Sequence, residues 1–287
     1  MSATEAPGGL GGVVPPGTSA APRLSGDDLG TPYLRFERHG PLARCVVDRP
    51  DSRNALPSAM YFGIRRAVDL VNRDPALAAL IITGTGDVFI PGGELRGREP
   101  DKWLDVGDLL GLDSTPFEAI RNSPKPVVSA VNGIAQGGGL LIAMLSDVAV
   151  AGQSATVRAP ELFRGIADTG YAAYLPAQIG IARARDMLLT GRVVTAAEAE
   201  QWGMFTRVVP DDQVLKVAEE VAIQVSRTAP QARMHVKRII NANYGRVDLM
   251  TFSALLNNEE MAEGTRAFAE KREPGWVPEP FRQGGRI

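Results

Sequence analysis

Residues 126–144 constrain this chain most. Pro126-Val127-Val128-Ser129-Ala130-Val131 reads as a strand, Asn132-Gly133 breaks it, and Gly137-Gly138-Gly139 leads into the apolar run Leu140-Leu141-Ile142-Ala143-Met144. A strand that passes through glycines into a helix is the building unit of a parallel sheet covered by helices. A glycine triplet by itself serves for a tight turn and close helix packing. It also leaves the first N–H groups of the helix bare at the positive end of the helix dipole, where an anion or a developing oxyanion is stabilised. The triplet alone leaves both uses open.

The flanking chain repeats the alternation. Residues 33–37 and 43–47 read as two strands joined by a His39-Gly40-Pro41 turn. Ser58 is placed to cap a helix reaching Asn72, with Phe62, Ile64, Val68 and Val71 on its apolar face. Residues 80–83 form a short buried strand, and 88–95 a further strand ending in a second glycine loop, Pro91-Gly92-Gly93-Glu94. Residues 96–115 are charged and irregular, and are expected to be mobile. A helix at 117–122 stops at Ser123-Pro124, and 147–151 and 155–158 are strands. Beyond Glu161 the pattern turns helical, over 172–189, 196–202, 212–227, 229–243 and 248–270, with Thr195 and Asp211 as caps. The last residues, 274–287, carry three prolines and are expected to drape over a surface. Residues 1–30 are rich in Gly, Pro and Ala and read as a disordered tail. The domain reading is therefore a tail at 1–30, an α/β core at 31–195 and a helical region at 196–287.

Composition removes several kinds of chemistry. The net charge is −2, which gives no electrostatic attraction for nucleic acid or a membrane surface. No apolar run is long enough to cross a bilayer. One cysteine, Cys45, and two histidines, His39 and His235, offer no cluster with metal-ligand spacing. The lone cysteine excludes an intrachain disulfide and agrees with a cytoplasmic location. No metal and no separate cofactor are expected. Catalysis has to rest on carboxylates and backbone amides.

The order of the motifs resembles the enoyl-CoA hydratase/isomerase (crotonase) superfamily. Ser129-Ala130-Val131-Asn132-Gly133 through Gly137-Gly138-Gly139, then Ser146-Asp147, looks like its signature. Phe89-Ile90-Pro91-Gly92-Gly93-Glu94-Leu95 is similar to its first oxyanion loop, and Pro160-Glu161 with Gly165-Ile166 to its acid/base loop. Leu189-Thr190-Gly191, Ala196-Ala197-Glu198-Ala199 and Glu263-Gly264-Thr265-Arg266-Ala267-Phe268 match its C-terminal helices. The resemblance implies an α/β crotonase-like spiral of ββα units with a C-terminal helical trimerisation region, assembled as a homotrimer or a hexamer of two trimers. It implies an acyl-CoA thioester as substrate, with coenzyme A present only as part of that substrate. The carbonyl would be held by the N–H groups of Gly93 and Gly138. Arg53 and Ala55 would lie along the nucleotide, and Phe268 and Lys271 would reach the adenine end, often from a neighbouring subunit.

The resemblance also separates chemistries. Hydratases of the family hold water between two glutamates. Leu141 stands at the first of those places and Glu161 at the second. A leucine with a retained glutamate resembles the Δ3,Δ2-enoyl-CoA isomerases, whose single carboxylate moves a proton from C2 to C4. Asp168 resembles a functional aspartate of hydroxyacyl-CoA hydrolases and dienoyl-CoA isomerases, though its loop is one residue shorter. It equally suits the cap of the next helix. The expected reaction is therefore double-bond isomerisation with Glu161 as proton shuttle. Hydration, thioester hydrolysis involving Asp168, and acyl-CoA binding without turnover stand as alternatives. Trp103, Trp202 and Tyr171 are candidates either for an acyl pocket or for the core.

Overall fold

A computed structural model describes residues 26–94, 116–255 and 258–283. Among these, a six-stranded sheet runs in the order β1-β2-β3-β5-β7-β10 and a four-stranded sheet in the order β4-β6-β8-β9. The strands are β1 Leu34–His39, β2 Leu42–Val47, β3 Ala79–Gly84, β4 Val88–Ile90, β5 Val127–Val131, β6 Ile134–Gln136, β7 Val148–Gly152, β8 Thr156–Arg158, β9 Val194–Thr195 and β10 Arg207–Val209.

The two sheets grow together as a spiral. β3, β5 and β7 pair in parallel in the first sheet, and each is followed within a few residues by β4, β6 or β8, which pair in parallel in the second. Helices then return the chain: α1 Ser58–Arg73 after the antiparallel β1–β2 hairpin, α2 Pro116–Arg121, α3 Gly138–Leu145 and α4 Thr169–Ile179. This is the expected crotonase-like ββα repeat. Asn132 holds one corner, accepting from the Gly84 N–H at 3.0 Å and donating to the Gly86 carbonyl at 2.8 Å.

Period-two alternation explains why the central strands are apolar throughout. Leu80 and Ile82 of β3, with Val127 and Val131 of β5, enter the main core. Ala79, Ile81, Val128 and Ala130 point the other way, onto Val214, Ala218, Val221 and Ala222 of α7 Val214–Ser226. α5 Ile181–Thr190 and α6 Ala196–Gln201 precede that helix. α8 Pro230–Asn241, α9 Leu249–Leu255 and α10 Glu259–Glu270 follow it. The half-buried Lys237–Asp147 ion pair, 2.9 Å, ties α8 to the start of β7.

Several local expectations change. The N-cap of α1 is Pro57, and Ser58 is its first helical residue. Phe62 is 40% exposed, and Met60, Gly63 and Ala67 join Ile64, Val68 and Val71 on the buried face. β6 interrupts the path from strand to glycine turn, because its three residues are claimed by the second sheet. The helix expected at 172–189 breaks at Gly180, whose φ of 84° lies outside the helical range. Asp211 opens a 3-10 turn and binds the Ser154 N–H instead of capping α7. Thr195 does cap α6, in a reciprocal box with Glu198. The region from 196 also supplies β10, which extends the first sheet through β7.

Asp27 and Leu29, expected in the tail, pack on the fold. Leu29 is buried and Asp27 pairs with Arg38 at 2.7 Å. Residues 1–25 lie outside the described residues, as do 95–115 with Trp103. At the other end, Glu263 accepts the Gly275 N–H at 2.7 Å and Glu273 the Gln283 N–H at 3.1 Å, fastening the proline-rich segment down.

Candidate active site

The spiral brings its two glycine loops face to face. The loop after β4 is set by a bridge to residue 56: Leu56 N–H donates to the Gly92 carbonyl and Glu94 N–H to the Leu56 carbonyl, each at 2.9 Å. Gly93, between those bonds, turns its N–H the other way, is exposed and has no hydrogen-bond partner among the described residues. Gly137 is the N-cap of α3, so the Gly138 N–H is the first of the unpaired helical amides. A Cβ built on Gly137 would lie 3.1 Å from the Gly92 Cα and 4.0 Å from the Gly93 nitrogen. The two candidate oxyanion residues are thus neighbours. Close approach of β4 to α3 needs Gly139, where any Cβ would collide with the Ile90 carbonyl.

Glu161 opens a 3-10 turn, Glu161–Arg164, at the end of β8. Its Oε1 lies 3.1 Å from the Cβ position of Gly137, and its Oε2 is buried without a hydrogen-bond partner among the described residues. Burial, and then the nearby Asp168 carboxylate, push its pKa up to about 8, against weaker opposition from its own backbone N–H and then from Arg164 and Arg158. Asp168 caps α4, its Oδ1 accepting from the Gly170 N–H at 2.9 Å and the Tyr171 N–H at 3.1 Å. Burial raises its pKa while those two amides oppose the rise. Capping and proximity to Glu161 therefore coexist in one residue. Leu141 is buried, and its methyl carbons reach 3.6 and 3.9 Å from the Cβ position of Gly170. It forms an apolar wall beside the Asp168 cap.

Two tyrosines pack against the glycine loops. The Tyr171 hydroxyl donates to the Gly137 carbonyl at 2.5 Å, and the residue is fully buried. Of the two earlier pocket candidates among the described residues, Tyr171 and Trp202, it is the one placed at this site. Trp202 instead stacks with Arg183 and Arg192. Tyr61 of α1 contacts the Cβ position of Gly138, and its hydroxyl lies 3.5 Å from that of Gly93. It packs edge-on against Phe117, centroids 6.1 Å apart. No sequence signal marks Tyr61, because helical spacing makes it one more residue beside Met60 and Ile64.

The candidate CoA residues form two separate pairs: Arg53 and Ala55 lie in the loop before α1, while at the end of α10 the Lys271 N–H donates to the Phe268 carbonyl at 3.3 Å. Arg53 ends a 3-10 turn with φ 49° and is exposed. The Ala55 carbonyl accepts from Arg49 Nη1 at 3.0 Å, and Arg49 also pairs with Glu94 at 2.9 Å. Phe268 lies under the Arg164 guanidinium, 4.0 Å from its ring centroid, so α10 packs on the acid/base turn of its own chain. Lys271 ends α10 in a left-handed conformation and is exposed. No cluster of three or more His, Cys, Asp or Glu able to hold a metal occurs among the described residues.

The arrangement offers two neighbouring glycine loops with unpaired amides and a buried carboxyl oxygen that has no hydrogen-bond partner among the described residues, a set suited to proton transfer beside a polarised carbonyl. Known proteins agree at the level of family. The sequence profile of enoyl-CoA hydratase/isomerase matches residues 37–279. Carnitinyl-CoA dehydratase of Salmonella arizonae is 35% identical over 260 residues, spanning 85% of this chain and 97% of that protein. Among solved structures, a carnitinyl-CoA hydratase from Mycobacterium avium superposes with a TM-score of 0.72 at 32% identity, covering 85% and 98% of the two chains. An enoyl-CoA hydratase from Mycobacterium avium subsp. paratuberculosis gives 0.72 at 28% identity, covering 86% and 99%. The chain belongs to the enoyl-CoA hydratase/isomerase family and has the crotonase fold.

Proposed function

We propose that this acyl-CoA enzyme moves the double bond of an enoyl-CoA from the 3 to the 2 position, with Glu161 carrying the proton. One observation carries the reading: Glu161 presents beside the glycine turn a buried carboxyl oxygen with no hydrogen-bond partner among the described residues, and the resemblance puts Leu141 where a hydratase has its other carboxylate. The Gly93 and Gly138 amides receive the thioester oxygen. As they stabilise negative charge on it, the C2 proton becomes removable. Glu161 takes that proton, leaving a dienolate, and returns it to C4. No water has to be held, so one carboxyl suffices. A pKa of about 8 suits a group that must be a base in one step and an acid in the next.

Reversible dehydration of a 3-hydroxyacyl-CoA is the second reading, favoured by the relatives named carnitinyl-CoA dehydratase. In it, Glu161 removes the C2 proton and Asp168, in place of the missing glutamate, delivers a proton to the departing hydroxide, which leaves as water. One experiment separates the readings. Wild type and Glu161→Gln are given a 3-enoyl-CoA, a 2-enoyl-CoA and a 3-hydroxyacyl-CoA, with absorbance of the conjugated thioester and free thiol both followed. Conjugation of the 3-enoyl ester alone supports isomerisation. Loss of absorbance from the 2-enoyl ester supports the hydration equilibrium. Thiol release indicates hydrolysis, and binding without any turnover indicates an acyl-CoA binder.

CoA contacts at Arg53, Ala55, Phe268 and Lys271 remain part of this proposal. So does a homotrimer or a dimer of trimers, supported by the exposed apolar residues Val236, Ile239 and Ile240 of α8. Sedimentation equilibrium tests the assembly. A cytoplasmic location is proposed from the single buried cysteine; no helix among the described residues is long and apolar enough to cross a membrane.

A further inference from the structure

We propose that Tyr171 is a positioning residue for the oxyanion amide of Gly138, acting through the Gly137 carbonyl. This rests on the reading of Gly93 and Gly138 as the donors to the thioester oxygen. The peptide joining Gly137 to Gly138 is planar and trans, so its C=O and N–H point in opposite directions. Whatever fixes the carbonyl therefore aims the amide.

Gly137 has φ 53° and ψ −135°, a conformation open to glycine, and no side chain of its own steadies the plane. Three donors among the described residues reach its carbonyl. Leu140 and Leu141 N–H groups approach at 3.0 and 3.2 Å, as part of the first helical turn. The Tyr171 hydroxyl is the shortest at 2.5 Å and comes from a different helix. Tyr171 is itself held, because its N–H donates to the Asp168 cap at 3.1 Å and its ring is fully buried. A relay of fixed groups thus runs from the Asp168 cap through the phenol and the Gly137 carbonyl to the Gly138 N–H. Hydrogen bonding at one end of a peptide also polarises it and strengthens the donor at the other end. Burial, with the nearby Glu161 and Asp168 carboxyls, keeps the phenol neutral, so its proton stays available for this bond. The substrate oxygen then meets an amide whose direction is set before it binds.

The test is the carbonyl stretch of a bound saturated acyl-CoA labelled with carbon-13 at the thioester carbon, read by infrared difference spectroscopy. Wild type is expected to lower the stretch relative to the free ester. Tyr171→Phe is expected to return it toward the free value and to lower kcat by about 10-fold, less than the loss of a whole donor, with KM and calorimetric affinity within about 2-fold. Should Tyr171→Phe fail to fold, a difluorotyrosine at 171 keeps the ring and hydroxyl while making the donor stronger, and is expected to lower the stretch further. A wild-type stretch equal to that of the free ester removes the oxyanion assignment and this inference with it. A lowered wild-type stretch that neither substitution changes overturns the role of Tyr171 alone.

Discussion

The Glu161 carboxylate fills the space that a side chain on Gly137 would need: Oε1 lies 3.1 Å from the Cβ position. The glycine that opens α3 thus does two things. It adopts a backbone conformation other residues resist, and it leaves room for the acid/base group against the turn. Gly137→Ala should strain the φ of 53° and press on both Glu161 Oε1 and the Gly92 Cα. We expect a kcat loss of about 100-fold or more together with a lowered melting temperature. Steady-state kinetics and thermal unfolding check both.

Glu161→Gln should keep acyl-CoA affinity and lower kcat by about 10²–10⁴-fold, the usual range for one acid/base group. In wild type, kcat/KM should rise with pH as Glu161 ionises, through about 8. The substituted enzyme should lack that limb. A pH profile that is the same in both proteins removes Glu161 from the chemistry.

Stability should carry the same signature with a defined sign. The carboxyl ionises near 4.5 in the unfolded chain and near 8 in the folded one. Between those values the folded state holds the extra proton, so this contribution is full below 4.5, declines as pH rises and is gone above 8. Glu161→Gln, which stays neutral throughout, should therefore gain on wild type as pH rises across that window. Urea titrations of the two proteins at matched pH measure it.

Asp168→Asn keeps an oxygen to accept the Gly170 and Tyr171 N–H groups but removes the charge. Under the isomerase reading it should retain activity within about 10-fold and shift the Glu161 limb to lower pH, because the Asp168 charge helps raise Glu161. Asp168→Ala should lose the cap as well, about 0.5–2 kcal/mol of stability. Loss of turnover in both variants, with the fold intact, would instead support Asp168 as the acid of a dehydratase.

Leu141→Glu tests what the apolar wall withholds. The new carboxyl would enter a buried place beside the Asp168 cap. We expect lower thermal stability, from burying an ionisable group, and a hydration rate on 2-enoyl-CoA above that of wild type. A stopped assay on 2-enoyl-CoA reads the gain directly.

Local patterns carried a large part of the fold. The alternation of short apolar strands with helical runs implied parallel sheets, and Thr195 announced its helix as a cap, which the structure completes into a box with Glu198. Longer-range features did not announce themselves. β6 and β9 are too short to differ from loop residues by composition, and each becomes a strand because a neighbour offers its edge. Helix ends went the same way: Ser58 and Asp211 have capping side chains, yet Pro57 holds the cap of α1 and Asp211 serves Ser154 instead.

For the site, the sequence determined the chemistry that the chain can carry. Two glycine loops, one retained glutamate and a leucine at the other carboxylate place are fixed by residue identity alone. The tertiary structure decided what faces what. Gly93 and Gly138 become neighbours through the spiral, burial and Asp168 set the protonation of Glu161, and Tyr61 and Tyr171 reach the glycines from α1 and α4. Those contacts join residues far apart in the chain, and desolvation depends on everything packed around a group. Neither is written in a local run of residues.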